Sequence, residues 1–368
     1  MNEKKSTSKK YSNTKLALGI LKGILSFIFL LWIILSRFSE NLELVLRYFI
    51  ENDYLVFLAY VLSIGLISSI IFLPLNFYTG YYLEHKFKLS NQSFFGWVWE
   101  NIKGLLVGLL IGIPILLLFF WVINTFGNMW WLIFASAMFV ISVLLAQIVP
   151  VLILPLFYKV TSLENEELKR RITELGKQAG LNVQNVFKFN MSKNTKKANA
   201  AFTGLGKSKR ILLGDTLIEN YSDDEIETVI AHEMGHYKHK HIVKNLIIGT
   251  LSSFLTFWLM AYLYDISLIW FGFISIYQIS ALPILVMWGS LIGLIETPIT
   301  NFISRKFEYE ADTYAVKSTN KKEAFISTLN KLNEQNLGDK NPHPFVEWYF
   351  YSHPSIEKRI SFINSLQI

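Results

Sequence analysis

The chain has 368 residues, 52% of them hydrophobic, and only 17% are charged, against about 25% in an ordinary soluble domain; the deficit points to a bilayer. With no cysteine, structural disulfides and thiolate metal sites are excluded, and any metal must be held by His, Asp or Glu. The formal net charge of +7 suits an anionic leaflet, and no aromatic-interleaved basic array marks a nucleic-acid binder.

A bilayer crossing needs about 20 apolar residues. Residues 16–36 supply the first, interrupted only by Lys22. The run is too long for a signal peptide and no small-residue cleavage site follows it. Residues 55–78 are a second. Residues 104–158 carry no charge and are too long for one pass, so a break at Asn124–Asn128 divides them into spans at 104–123 and 130–157. Residues 245–264 are a fifth. Residues 266–304 hold a short interfacial piece and then a sixth span, whose one charge, Glu296, is a functional candidate because ionisable groups are costly in hydrocarbon. Lys4, Lys5, Lys9, Lys10, Lys15, Lys86, Lys88 and Lys103 lie on one side, against Arg37 and Arg47 on the other. This bias places both termini and the polar segments in the cytosol.

In the polar segments, residues 163–179 pattern as an amphipathic helix closed by Gly180. Residues 186–189 read as a strand and 191–197 as a basic loop. Residues 199–204 and 210–214 form a hairpin pair. Ser222-Asp-Asp-Glu225 has capping-box spacing and starts a helix that runs through His241. Two more helices are expected, near 321–334 and 355–366. The organisation is therefore a four-span membrane region (1–158), a soluble part (159–244), spans five and six (245–304) and a C-terminal part (305–368).

The chemistry sits in His232-Glu-Met-Gly-His236. Histidines four apart share a helical face and can hold one ion, while Glu233 can act as general base on a metal-activated water. A catalytic zinc takes three protein ligands. In Phe307-Glu-Tyr-Glu-Ala-Asp312, Glu308 and Asp312 share a face, so Glu308 is the best third ligand and Asp312 an orienting partner. Glu310 points elsewhere and is the weaker ligand. His239 and His241 read as interfacial polar residues, and His353 by spacing alone as a loop histidine. His85 and His343 carry no signal.

The chain resembles the type I CAAX prenyl proteases, multi-pass membrane zinc endopeptidases of the gluzincin type. The resemblance runs from about Leu73 to the C-terminus. It is carried by Leu73-Pro-Leu-Asn-Phe-Tyr78, Glu84-His-Lys-Phe-Lys-Leu-Ser-Asn-Gln92, Leu154-Pro-Leu-Phe157, the segments 199–204 and 209–217, the H-E-x-x-H motif, Lys244-Asn245, Ser304-Arg-Lys-Phe-Glu308, Ala311-Asp312 and Tyr351-Ser-His-Pro354. It implies a mainly α polytopic bundle enclosing a chamber and capped by a small α+β protease domain. It implies one Zn2+ per chain on His232, His236 and Glu308, with Asp312 as their outer partner. It also implies His353 as oxyanion donor, Arg359 bracing the site, and Asn199, Ala200, Ala201 and Phe202 lining the substrate. The implied partners are a peptide or protein substrate, lipidated in the family, and the bilayer of a bacterial inner membrane or the endoplasmic reticulum. No nucleic acid is involved, and a monomer is expected. The chain departs from the family's usual seven spans in having six. An HtpX-like quality-control protease is the nearest alternative, and a non-catalytic scaffold with structural zinc a more distant one, which the intact Glu233 argues against.

Overall fold

The computed structural model describes residues 2–180, 186–203 and 210–367. Five continuous helical stretches among them are long and apolar enough to cross a membrane. The third, Phe94–Phe157, is broken by a 3-10 turn at Gly127–Met129. It folds back there, because the Phe119 and Phe134 rings meet at 5.3 Å, whereas 15 residues of straight helix would separate them by about 22 Å. Counted as passes, the long helices are α1 (Asn2–Leu35), α3 (Asp53–Phe77), α4 (Phe94–Phe126), α5 (Trp130–Ile148), α8 (His241–Ser267) and α9 (Leu282–Thr319). The amphipathic α2 (Phe38–Phe49), at about 18 Å, is too short to cross. Each of the six apolar runs expected to span falls largely within one of these helical stretches, and most of the helices run past them. In particular α9 continues without a break through Ser304 to Thr319.

Neighbouring helices pack in the cyclic order α1–α3–α4–α5–α8–α9 and back to α1. A cavity of about 1400 Å³ lies among α1, α3 and α9. Aromatic packing holds part of the ring together, with Phe57 of α3 stacked on Phe120 of α4 at 4.5 Å and Phe257 of α8 edge-on to Phe134 of α5 at 5.3 Å.

The polar segments make a four-stranded sheet in the order β1-β2-β4-β3: β1 (Val160–Ser162), β2 (Val186–Phe189), β3 (Ala200–Thr203) and β4 (Arg210–Gly214). β1 pairs antiparallel with β2, and β2 runs parallel to β4. The expected hairpin is β3 antiparallel to β4, with Ala200 opposite Leu213 and Phe202 opposite Ile211. β3 is left on the edge. Against the sheet pack α6 (Glu166–Gln178), α7 (Asp223–Lys238), α10 (Lys322–Gln335) and α12 (Ile356–Ser365), through a core that includes Ile172, Leu213, Ile230, Met234, Phe325 and Ile363. The short α11 (Pro344–Phe350) lies between α10 and α12.

Membrane and polar parts are clasped together. The segment after α3 joins the one before β3 through Lys196 N–H to Leu89 C=O at 2.8 Å and Asn91 N–H to Asn194 C=O at 3.2 Å. Glu84 gathers Lys197 at 2.8 Å and Lys15 of α1 at 2.9 Å. The linkage ties the root of the edge strand to the bilayer side of the molecule.

Candidate metal centre

α7 starts where Ser222 and Glu225 exchange the reciprocal bonds of a capping box, worth about 1 kcal/mol. Its buried face, Ile226, Val229, Ile230 and Met234, fixes its rotation and so the direction of its histidines. α9 crosses it at Gly235. A Cβ there would stand 2.9 Å from the Ala311 Cα, so glycine allows the two backbones to touch. That contact brings the H-E-x-x-H helix to the helix carrying Glu308.

Nε2 of His232 lies 3.2 Å from Nε2 of His236. The Glu308 carboxylate faces both, with Oε2 at 3.4 Å from His232 and Oε1 at 3.4 Å from His236. Ligands held about 2.0–2.1 Å from a tetrahedral ion stand about 3.3 Å apart, so two imidazole nitrogens at 3.2 Å with a carboxylate oxygen 3.4 Å from each are spaced to take a zinc ion between them. Glu308 Oε2 is buried and accepts no hydrogen bond, as an atom reserved for a cation would. Asp312 receives the His232 Nδ1 proton at 2.9 Å, which fixes the tautomer and turns Nε2 inward. Arg359 holds Asp312 through both oxygens, at 2.5 and 2.9 Å.

The electrostatics agree. Burial alone would lower the His232 pKa, but the hydrogen bond to Asp312 and the nearby Glu308 carboxylate outweigh it and raise the pKa to about 9. Burial would raise Glu308, yet its two histidine contacts and the Arg359 charge hold it well below the usual carboxylate range. At His232 the pocket favours positive charge, whereas burial lowers the pKa of His353 despite the nearby Glu308 carboxylate.

Of the other expected residues, Glu233 follows His232 on α7, half-buried and with no ion pair among the described residues. His353 Nε2 comes to 3.3 Å of Glu308 Oε1, and its Nδ1 meets the Ser352 hydroxyl at 2.9 Å. Asn199 is exposed, and Ala200, Ala201 and Phe202 form the edge strand, which packs against α7. His85 binds the Tyr81 and Gln92 carbonyls at 2.8 Å each, and His343 caps α11.

Two expectations need correction. The helix of the motif does not run through His241: it ends at Lys238, Lys240 adopts a left-handed φ of 57°, and α8 begins afresh. On one helix His236 and His241 would sit about 140° apart; the break swings His241 back beneath His236. His241 is therefore no interfacial residue. It is 1% exposed, its ring stacked on Phe307 at 4.1 Å. His236 Nδ1–H donates to His241 Nδ1 at 2.9 Å, and His241 Nε2–H donates to Glu310 at 2.8 Å. Because His236 presents Nε2 to the centre, its proton must lie on Nδ1, and this sets the direction of the relay. No periodic spacing could have shown a contact that depends on a broken helix.

His241→Ala is expected to weaken metal binding about 10–100-fold, the usual cost of losing such a partner, with helicity unchanged. Competition against a chromogenic chelator measures it; unaltered affinity would make the relay a bystander.

This fold and centre are those of an integral-membrane metallopeptidase, and comparison with known proteins agrees. The family model for peptidase family M48 matches residues 162–367, and that for the CAAX prenyl protease N-terminal region, with five membrane helices, matches residues 1–159. Within 1–159 this chain shows four long apolar helices and the short α2. The chain is 35% identical over 321 residues to CAAX prenyl protease 1 of Saccharomyces cerevisiae, covering 81% of this chain and 70% of that protein. It is 30% identical over 357 residues to the uncharacterized metalloprotease YhfN of Bacillus subtilis, covering 96% and 84%. The crystal structure of S. mikatae Ste24p superposes with a TM-score of 0.87 at 30% identity, covering 99% of this chain and 90% of that one. The chain belongs to peptidase family M48 and is a multi-pass membrane metalloendopeptidase. Its family implies a metal, typically zinc.

Proposed function

We propose that the chain holds one zinc ion on His232, His236 and Glu308 and cleaves peptides whose cysteine carries an isoprenoid near the C-terminus. What carries the reading is the pair of imidazole nitrogens 3.2 Å apart with the Glu308 carboxylate 3.4 Å from each through its two oxygens, beside an uncommitted Glu233. A zinc ion there supplies Lewis acidity, which makes water a competent nucleophile at neutral pH. Glu233 takes the proton of the attacking water and delivers it to the leaving amine. His353 donates to the carbonyl oxygen as charge develops on it. Asp312, fixed by Arg359, keeps His232 in register. The edge strand β3 offers unpaired backbone groups for an extended substrate to join by β-addition, with Asn199 at its root, and the substrate's lipid fits the apolar cavity among α1, α3 and α9. The charge bias of the loops supports a cytosolic metal centre with both termini on the same side.

The test is zinc analysis of the purified protein in detergent, with cleavage of one fluorogenic peptide, farnesylated or unmodified at its cysteine. About one zinc per chain and faster cleavage of the farnesylated peptide are expected. Equal rates would remove the lipid preference and leave the endopeptidase.

A further inference from the structure

Glu296 is a carboxylate inside a membrane-crossing helix. Its Oε1 accepts hydrogen bonds from the Thr256 hydroxyl and, at 2.8 Å, from the Ser252 hydroxyl, both on α8. Neither a cationic side chain nor a partner for Oε2 accompanies it among the described residues. It borders a cavity of about 410 Å³ between α8 and α9, whose polar lining also includes Asn245, Ser252, Thr256 and Thr300.

The cavity belongs to the inner side of the helix ring. On α8 the exposed apolar residues Val243, Ile247, Leu251, Leu255, Trp258 and Tyr262 follow helical spacing along one face, as a lipid-facing stripe does. Asn245, Ser252 and Thr256 lie on the opposite face. The cavity lies on the same side of α9 as the metal-centre carboxylate. Thr300, Ser304 and Glu308 succeed one another at i, i+4 and i+8 and so share a face of α9. Asn245, at the near end, is one turn beyond His241. Glu296 stands 12 residues before Glu308, about 18 Å along the helix.

We propose that Glu296 is a specificity subsite that pairs with a cationic side chain of the substrate, a lysine or arginine about three to six residues from the scissile bond on the segment that enters the ring. The proposal rests on the endopeptidase assignment made above. The spacing follows from geometry: an extended peptide covers about 3.3 Å per residue, and a lysine adds its own reach of about 6 Å. The energetics favour an ionic ligand over an idle role. An unpaired carboxylate at this depth is costly, and two hydroxyls already orient one oxygen while the other remains free to meet an ammonium or guanidinium group. Water in the cavity would keep the site accessible until the substrate arrives.

The experiment uses the full-length protein in detergent and a neutral reference peptide with one cleavage site. A single lysine is walked through positions one to eight on either side of that site, and kcat/KM is measured for wild type and Glu296→Gln. Glutamine keeps an oxygen to accept from Ser252 and Thr256, so the helix pair stays joined. Wild type should favour lysine at one or two adjacent positions by about tenfold, the scale of a partly desolvated ion pair. Glu296→Gln should lose that preference while cleaving the neutral peptide as before. Glutamate at the same position should slow the wild type and not the variant. A flat lysine walk in wild type overturns the proposal. So does an equal slowing of every peptide by Glu296→Gln, which would mark a merely structural tie between α8 and α9. Failure to cleave the neutral peptide in both its farnesylated and its unmodified form would sink the endopeptidase assignment together with the subsite.

Discussion

Glutamine at position 233 is expected to leave the metal in place and to lower turnover by about 10²–10⁴-fold, the range that a positioned general base contributes. The substitution is nearly isosteric. It keeps the half-buried position on α7 and removes only the ability to take a proton. None of the three ligand atoms belongs to Glu233, and the capping box and buried face that hold the helix lie outside it. Metal content, circular dichroism and peptide hydrolysis on one preparation test the assignment together. A variant that loses its metal would show Glu233 to be part of the coordination. One that retains full turnover would transfer the base to another group.

Glu308→Ala is expected to remove metal and activity together. Two imidazoles alone bind zinc far more weakly than a three-ligand site, and the alanine leaves His232, His236 and Arg359 sharing a pocket with less negative charge to balance them. The fold should survive, because α9 is anchored in the core by Ala315 and Val316, which the change does not touch. Glu310→Ala is the informative control. Glu310 touches His241 and no ligand atom, so this variant should bind zinc at saturating concentration, only less tightly. If Glu310→Ala lost the metal as completely as Glu308→Ala, the coordinating carboxylate would have been misassigned.

The comparison of sequence with structure shows which physical signals are local. The six passes were legible because each is a run of apolar residues. Their ends were not, since a helix that leaves hydrocarbon keeps its backbone bonds with no apolar residue to mark it: α1 begins at Asn2 and α4 at Phe94, well before their apolar runs. β1 has three residues, too few for a period. Within the site, His232 and His236 declare themselves by spacing on one helix. Glu308 was reachable because Asp312 repeats that spacing. The His241 contact was hidden because it depends on a left-handed residue at Lys240, which no pattern announces, and with it went the role of Glu310.

That α9 is unbroken from the bilayer to Glu308 makes the protein a gauge of height. One rod carries both the apolar run and Glu308, so the bond that is cut lies at a set distance from that run, whatever the local sequence of the substrate. Changing that distance is not a matter of small steps. Each residue added between Glu296 and Glu308 lifts the centre by about 1.5 Å and turns it by about 100°, which would aim Glu308 away from the two imidazoles. Only insertions near whole turns, with about seven residues as the closest fit, would restore the facing. The distance from the apolar run to the metal centre is thus restricted to a few discrete values, the first about 10 Å from the present one, and homologues with a different distance must differ by nearly whole turns of this helix or rebuild α7 to follow it.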